Sequence, residues 1–196
     1  MKKILLLLTL AIGCCSYAQQ TTTVTTTTKT TKIDSLPTIF TKKHEVKLGS
    51  IKLLAGGIIE GTYEYIYNED FTFGASILGN LDSGGNDYPE NFSITPFARF
   101  YFNESREYGA KGFFVEGFAK YLTGKQTTYY YTGDGTEYDI KENFSGGAAG
   151  ISLGWKWINR SGFVFELLVG GGRVFSGDDN APDAVFRGDF NLGYRF

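Results

Sequence analysis

The chain has 196 residues, 42% hydrophobic, 16% aromatic and 20% charged, a balance that suits one ordered domain and excludes a disordered or collagen-like protein. Glycine, at 26 residues, is near twice its usual share of roughly 7%. The aromatics are 17 Phe and 13 Tyr against 2 Trp, a mixture that favours strands and turns. With 19 basic and 21 acidic residues the net charge is -2, which lacks the basic footprint of a nucleic-acid binder, so neither DNA nor RNA is an expected partner.

Lys2 and Lys3 precede an apolar stretch from Ile4 to Ile12 broken only by Thr9, and Ser16-Tyr17-Ala18 is a small-x-small site ahead of Gln19. This pattern predicts a secretory signal peptide over 1–18, cleaved between Ala18 and Gln19. The apolar run is shorter than the about 20 residues that a membrane helix requires. Leu10 to Cys14 also resembles a lipoprotein cleavage box that would acylate Cys14, but Ala11 fits that box poorly. Both cysteines, Cys14 and Cys15, fall inside the segment, so a chain cleaved after Ala18 carries no disulfide and no cysteine metal site. Loss of Lys2 and Lys3 leaves that chain mildly acidic.

Residues 19–43 include TTTVTTTTKTTK, which has almost nothing to bury, and are expected to form a disordered Thr-rich periplasmic arm. Asp34-Ser35-Leu36 within it resembles a short O-glycosylation signal. From His44 to Phe196 the character changes. Apolar and polar residues alternate in segments of about ten, separated by Gly, Asn and Asp turns, with no helical period of comparable length.

The alternation predicts eight strands, near 45–55, 58–67, 71–79, 91–102, 112–124, 144–158, 162–175 and 185–196. In the last, Phe186, Gly188, Phe190, Leu192, Tyr194 and Phe196 share one face and Arg187, Asp189, Asn191, Gly193 and Arg195 the other. In the sixth, Ile151, Leu153, Trp155 and Trp157 alternate with Gly150, Ser152, Gly154 and Lys156. A soluble sandwich would turn the bulky face inward, and periodicity alone does not choose.

Connection lengths do. Segments 68–70, 103–111 and 159–161 are short, whereas 80–90, 125–143 and 176–184 are longer and polar, as in outer-membrane barrels. The connection at Gly56-Gly57 departs from this by being nearly absent. Aromatics such as Tyr65, Phe71, Phe100, Phe113, Trp155, Trp157 and Phe163 gather at one set of strand ends, and Tyr194 and Phe196 form an aromatic-x-Phe ending that fits a terminal assembly signal. The expected fold is therefore all-β, an eight-stranded antiparallel up-and-down transmembrane barrel over 44–196.

The stretches HEVKLGSIKLLAGG with GTYEYIYNEDFTFGASI, SITPFARFYF, GFFVEGFAKY, and GISLGWKWINRSGFVFELLVGGGRVF with RGDFNLGYRF carry a resemblance over most of 44–196. Their order and spacing resemble a family of small gram-negative outer-membrane β-barrels known as a domain of unknown function. The resemblance implies a closed barrel in the outer membrane and brings no activity or active site. Such barrels often carry Gly five residues before the last aromatic, where this chain has Asn191.

With the oily face toward lipid, Glu60, Glu64, Arg99, Glu116, Lys120, Lys156, Glu166, Arg187, Asp189 and Arg195 point inward, where they must pair. An eight-stranded interior is just wide enough to be filled, so Glu64, Arg99, Glu116, Lys156, Glu166 and Arg195 are expected to form a structural ionic network. Lys47 and Lys52 have opposite parity, and placing both inside a first strand requires a bulge. The only histidine, His44, sits at the start of the first strand, which gives catalysis little support. Ser83, Asp82, Ser176 and Asp178 near the loop rim read as solvated loop residues.

The long loops are acidic but lack the spacing of a calcium loop, and Gly146-Gly147 and Gly170-Gly172 lack the Lys-Ser/Thr of a phosphate loop. The sequence thus points to a monomeric, non-enzymatic outer-membrane barrel without cofactor or metal. Its expected partners are outer-membrane lipid, surface glycolipid and the barrel-assembly machinery. The alternatives are a narrow gated channel and an outer-leaflet lipid-modifying enzyme.

Overall fold

The period-two alternation becomes eight strands in a computed structural model that describes residues 42–81, 88–102, 109–131, 137–178 and 181–196. The signal segment with Ala18 and Gln19, the Thr-rich arm up to residue 41, and the loop residues Asp82, Ser83, Asp87, Asp134 and Asp179 lie outside the described residues. In chain order the elements are β1 (His44–Gly49), α1 (Ser50–Gly56), β2 (Ile58–Ile66), β3 (Phe71–Asn80), β4 (Glu90–Tyr101), β5 (Gly112–Tyr131), β6 (Glu137–Ile158), β7 (Phe163–Gly177) and β8 (Ala184–Arg195).

Each strand pairs antiparallel with the next, and β8 returns to β1, so the sheet closes into an eight-stranded barrel without free edges along its wall. Closure runs from Glu45 opposite Arg195 to Gly49 opposite Asn191. His44 and Phe196 extend it by exchanging backbone hydrogen bonds of 3.2 and 2.8 Å. One end of the barrel carries both ends of the closed sheet and the short turns. At two of these turns an Asn carboxamide organises the chain: Asn68 Oδ1 accepts from the Asp70 and Phe71 N–H groups, and Asn159 Oδ1 from Ser161 and Phe163. This is called the turn end below, and the opposite one the loop end.

Two connections at the loop end correct the sequence-based reading. The first strand does not run to residue 55 but stops at Gly49, and 50–56 form the helix α1, so the connection at Gly56-Gly57 is a helical turn and not a near-absent loop. Gly49 offers no side-chain cap to α1. Asp189 of β8 supplies the acceptor instead, its Oδ1 taking the Ile51 N–H at 2.8 Å, and a Cβ on Gly49 would collide with that carboxylate. Gly57, at φ 64°, closes the helix in the left-handed conformation that glycine adopts without penalty. This helix resolves the parity conflict: Lys47 points inward from β1, Lys52 reaches the interior from α1, and no bulge is needed.

The second correction is to the strand bounds around 125–143, where the sequence already extends the fifth strand over Tyr129, Tyr130 and Tyr131 as a protruding, partly paired hairpin. The segment is a continued β5–β6 hairpin, paired from Lys125 opposite Asn143 to Tyr131 opposite Glu137. Gly146-Gly147 and Gly170-Gly172 lie within β6 and β7 and pair as strand residues.

The interior is also less uniformly polar than the alternation implies. Phe97, Phe118, Leu122, Phe144, Ala148 and Val185 form one buried cluster, and Ile66, Tyr101, Ala110, Phe114 and Leu168 a second. These inward rings fit because glycines lie beside them on neighbouring strands. A Cβ on Gly150 would stand 2.6 Å from Phe118 Cζ, and one on Gly74 or Gly124 would stand 2.8 Å from the ring of Phe97 or Phe144. A Cβ on Gly154 would meet the Phe114 ring and stand 2.7 Å from the Leu167 carbonyl oxygen. Backbone oxygen cannot yield as a flexible side chain can, so Gly154→Ala should lower stability by about 1–3 kcal/mol, the usual range for overpacking. A urea titration followed by tryptophan fluorescence checks this, and an unchanged midpoint would show that the ring moves aside freely.

Candidate functional site: the ionic interior

The inward positions collect charge because every second residue of each strand faces the same side. Among the described residues, seven carboxylates (Glu45, Glu60, Glu64, Glu90, Glu116, Glu166, Asp189) and six cations (Lys47, Arg99, Lys120, Lys156, Arg187, Arg195) are buried in the barrel. Lys52 of α1, with a side chain only 10% exposed, brings the two signs to equality. Equality matters because an uncompensated charge in so dry a space is costly.

Arg99 of β4 is the hub. Its Nε donates to Glu116 Oε2 at 2.7 Å, its Nη1 to Glu64 Oε2 at 2.6 Å and Glu166 Oε2 at 2.7 Å, and its Nη2 to Glu166 Oε1 at 3.1 Å. The guanidinium also lies 4.3 Å from the Phe97 ring centre and 4.6 Å from that of Phe114, so its faces are covered while its edges pair. Lys47 bridges Glu64 and Glu166, and Lys156 bridges Glu45 and Glu64 at 2.8 Å each. Tyr101 donates its hydroxyl to Glu64 at 3.0 Å, and Thr72 donates to the same carboxylate at 2.6 Å.

These contacts join into one column along the barrel. At the turn end Arg195 pairs with Glu45, which pairs with Lys156; Lys156 pairs with Glu64, and Glu64 with Arg99. Arg99 then pairs with Glu116, Glu116 with Arg187, Arg187 with Glu60, and Glu60 with Lys52 on α1 at the loop end. A side pair, Lys120 with Glu90 at 2.6 Å, stands apart from the column.

Residues from both ends pack into the interior. At the turn end the segment entering β5 folds in, so that Ala110 is fully buried and Arg195 donates to the Gly109 and Ala110 carbonyls at 3.1 and 3.2 Å. At the loop end Ala181 packs on the Phe97 cluster. Burial there, with the carboxylates of Glu90, Glu60 and Asp189 nearby, holds the Tyr88 phenol well above its usual titration range.

The structure thus brings Glu64, Arg99, Glu116, Lys156, Glu166 and Arg195 into one connected network, together with Glu60 and Arg187. Asp189 is buried but serves α1, and Lys120 serves Glu90. Sequence reasoning missed Glu45, whose alternation with Val46 and Leu48 was readable once β1 is stopped at Gly49, and Glu90, which sat just outside the expected fourth strand. It left Lys47 and Lys52 unplaced, because both cannot face inward from one regular strand and a single helical turn carries no strand parity. Tyr194 and Phe196 lie on the exterior: Tyr194 meets Phe163 edge-on at 5.6 Å, and Phe196 stacks on His44 at 5.9 Å.

The outside is the inverse of the inside. Ile151 and Phe186 are each 63% exposed, and Leu153, Trp155, Trp157, Phe165, Leu167 and Val169 are exposed in the same band. Among the described residues, no group of three His, Cys, Asp or Glu side chains is arranged to hold a metal ion. No family model, no curated protein and no solved structure matches this chain.

Proposed function

We propose that the protein is an outer-membrane β-barrel, exported through its amino-terminal signal, that serves the cell envelope as a packed structural or surface-interaction element. The observation that carries this reading is the inversion: full ion pairs inside and a continuous belt of large apolar side chains outside. In water such a belt far exceeds the few hundred Å² of contiguous apolar surface that soluble monomers expose. In a bilayer it is the expected solvent-facing surface. Aromatics at both rims support the same reading, with Phe71, Phe100, Phe102, Trp157 and Tyr194 at the turn end and Phe92, Tyr121, Phe175 and Phe186 toward the loop end. The short turns would then face the periplasm, together with the Thr-rich arm, and the β5–β6 hairpin would project outward. Lipid, surface glycolipid and, during insertion, the assembly machinery are the partners of this reading, with the barrel as a monomer.

Envelope fractionation followed by gel electrophoresis with and without boiling tests it. The protein should partition with the outer membrane and migrate differently when unheated. Recovery in the aqueous periplasmic fraction with no heat-dependent shift would return the strands to a soluble barrel.

The column of ion pairs favours one second reading, a narrow gated channel in which α1 and Lys52 form the movable end. The filled interior and the buried Ala110 support the closed, structural reading over it. Single-channel recording separates the two, since a packed barrel should pass no resolved current.

A further inference from the structure

A cleft of about 610 Å³ opens at the loop end, where the last residues of β7 meet the segment leading into β8. That size falls within the roughly 300–1,000 Å³ of small-ligand sites. Its lining includes Arg173, Phe175, Asp178 and Asp183. A bulge shapes it: Ser176 lies opposite Gly147 and Val174 opposite Ala148, which leaves Phe175 without a partner on β6 and 72% exposed. Bulges re-aim side chains in this way at the rims of barrels. Arg173, two residues earlier, is the only charged residue of β7 with exterior parity, and it is exposed.

Asp178 is engaged, its Oδ2 accepting from the Ser145 N–H at 2.8 Å and hydroxyl at 3.1 Å. The side chains of Arg173 and Asp183, by contrast, make no hydrogen bond or ion pair with the described residues, although both line the one cleft. A guanidinium only donates and an ionised carboxylate only accepts, so the group that answers both is one that does both, a hydroxyl. Charge points the same way. An anion would satisfy Arg173 but face the carboxylates of Asp178 and Asp183, and an ammonium would set a second cation beside Arg173. A neutral polyol meets neither obstacle. Phe175 adds the last element, since the electron-rich face of an exposed ring attracts the C–H face of a sugar.

Resting on the membrane reading above, which turns the loop end outward, we propose that this cleft binds a sugar ring of the surface glycolipid. Neighbouring hydroxyls of one ring accept from the Arg173 guanidinium and donate to the Asp183 carboxylate, while the ring stacks on Phe175. A free oligosaccharide offers the same hydroxyls. Arg173, however, belongs to the outer wall, opposite Ala149 on β6 and Ala184 on β8, so the cleft is approached from the leaflet beside the barrel. That approach favours the glycolipid head over a soluble glycan.

The test is native mass spectrometry of the purified full-length barrel released from detergent micelles that contain rough lipopolysaccharide and phosphatidylglycerol. The wild-type barrel should retain the lipopolysaccharide in preference, and stripping its phosphates with hydrofluoric acid should leave that retention unchanged. Arg173→Gln, Phe175→Ala and Asp183→Ala should each lower it about tenfold, as expected for one charge-assisted hydrogen bond or one stacked ring. The sign at Asp183 is diagnostic, because an anionic ligand would bind more tightly once that carboxylate is gone. Such a gain, or loss of retention after the phosphates are stripped, would overturn the sugar assignment. All three residues are exposed, and a retained heat-dependent gel shift verifies that each variant is folded. No preference over phosphatidylglycerol in a barrel that inserts and shows the gel shift would overturn this site and leave the membrane reading standing. Equal binding of the oligosaccharide released from its lipid would overturn the assignment to the glycolipid. Failure of the protein to enter micelles or bilayers would overturn both readings together.

Discussion

Arg99→Met should destabilise the barrel by about 3–5 kcal/mol, the range for removing one partner from a buried charge network. The argument runs from its neighbours. Glu64, Glu116 and Glu166 all accept from this one guanidinium, and the side chains of all four residues have no exposed surface. After the substitution Glu64 keeps Lys47 and Lys156, and Glu116 keeps Arg187, but the interior holds one negative charge too many. Methionine fills much of the volume beside Phe97 and Phe114, so the loss reports charge more than a cavity. Arg99→Lys should recover only part of the loss, because a point charge cannot reach three carboxylates in a planar fork. Pairing Arg99→Met with Glu166→Gln should recover more, since it restores neutrality. Urea unfolding in detergent, read by tryptophan fluorescence, measures all three. If Arg99→Met unfolded at the wild-type midpoint, the network would be dispensable and its residues would have to be explained by transport instead.

The legible part of this fold was the part with a repeating physical cause. Alternation across β6 and β8 exposed one oily and one ionic face, and ten inward charges followed from parity alone, all of them buried in the barrel. Parity failed where the backbone left the strand. The sequence signal within SIKLLAG is Lys52, whose parity opposes that of Lys47, and the device that ends β1 is an acceptor on Asp189, far away in sequence, that stands in for a missing cap. The length of the β5–β6 hairpin was hidden for a related reason: its strands continue past the barrel wall, where no apolar face is required and the alternation lapses. The room for inward phenylalanines was hidden too. Phe97, Phe114, Phe118 and Phe144 share the parity of the inward charges, and what the sequence does not display is the glycine on a neighbouring strand that makes room for each ring.

The size of one substitution's effect separates a lipid-facing exterior from a water-facing one. Val169 lies in the middle of the exterior run of β7 between Phe163 and Phe175, opposite Leu153 on β6 and Gly188 on β8, and is 54% exposed. An arginine there extends from an exposed outer position, past the Phe186 ring that lies over Gly188. On a barrel in water Val169→Arg would exchange an exposed apolar group for a charged one and shift stability by no more than about 0.5 kcal/mol, as surface changes usually do. At the midplane of a bilayer the same charge costs about 2–4 kcal/mol, and the cost falls away toward the interfaces. Arginine scanning at Phe163, Leu167, Val169 and Gly171, measured by reversible unfolding into lipid vesicles, should therefore give a penalty that peaks near Val169 and declines in both directions. A flat profile near zero would place the belt in water. The scan also bears on the ionic interior, because the two surfaces are consequences of one alternation: a residue that faces lipid at Val169 requires Leu168 and Gly170 to face inward, beside Glu166, and therefore fixes the side on which the charges must be paired.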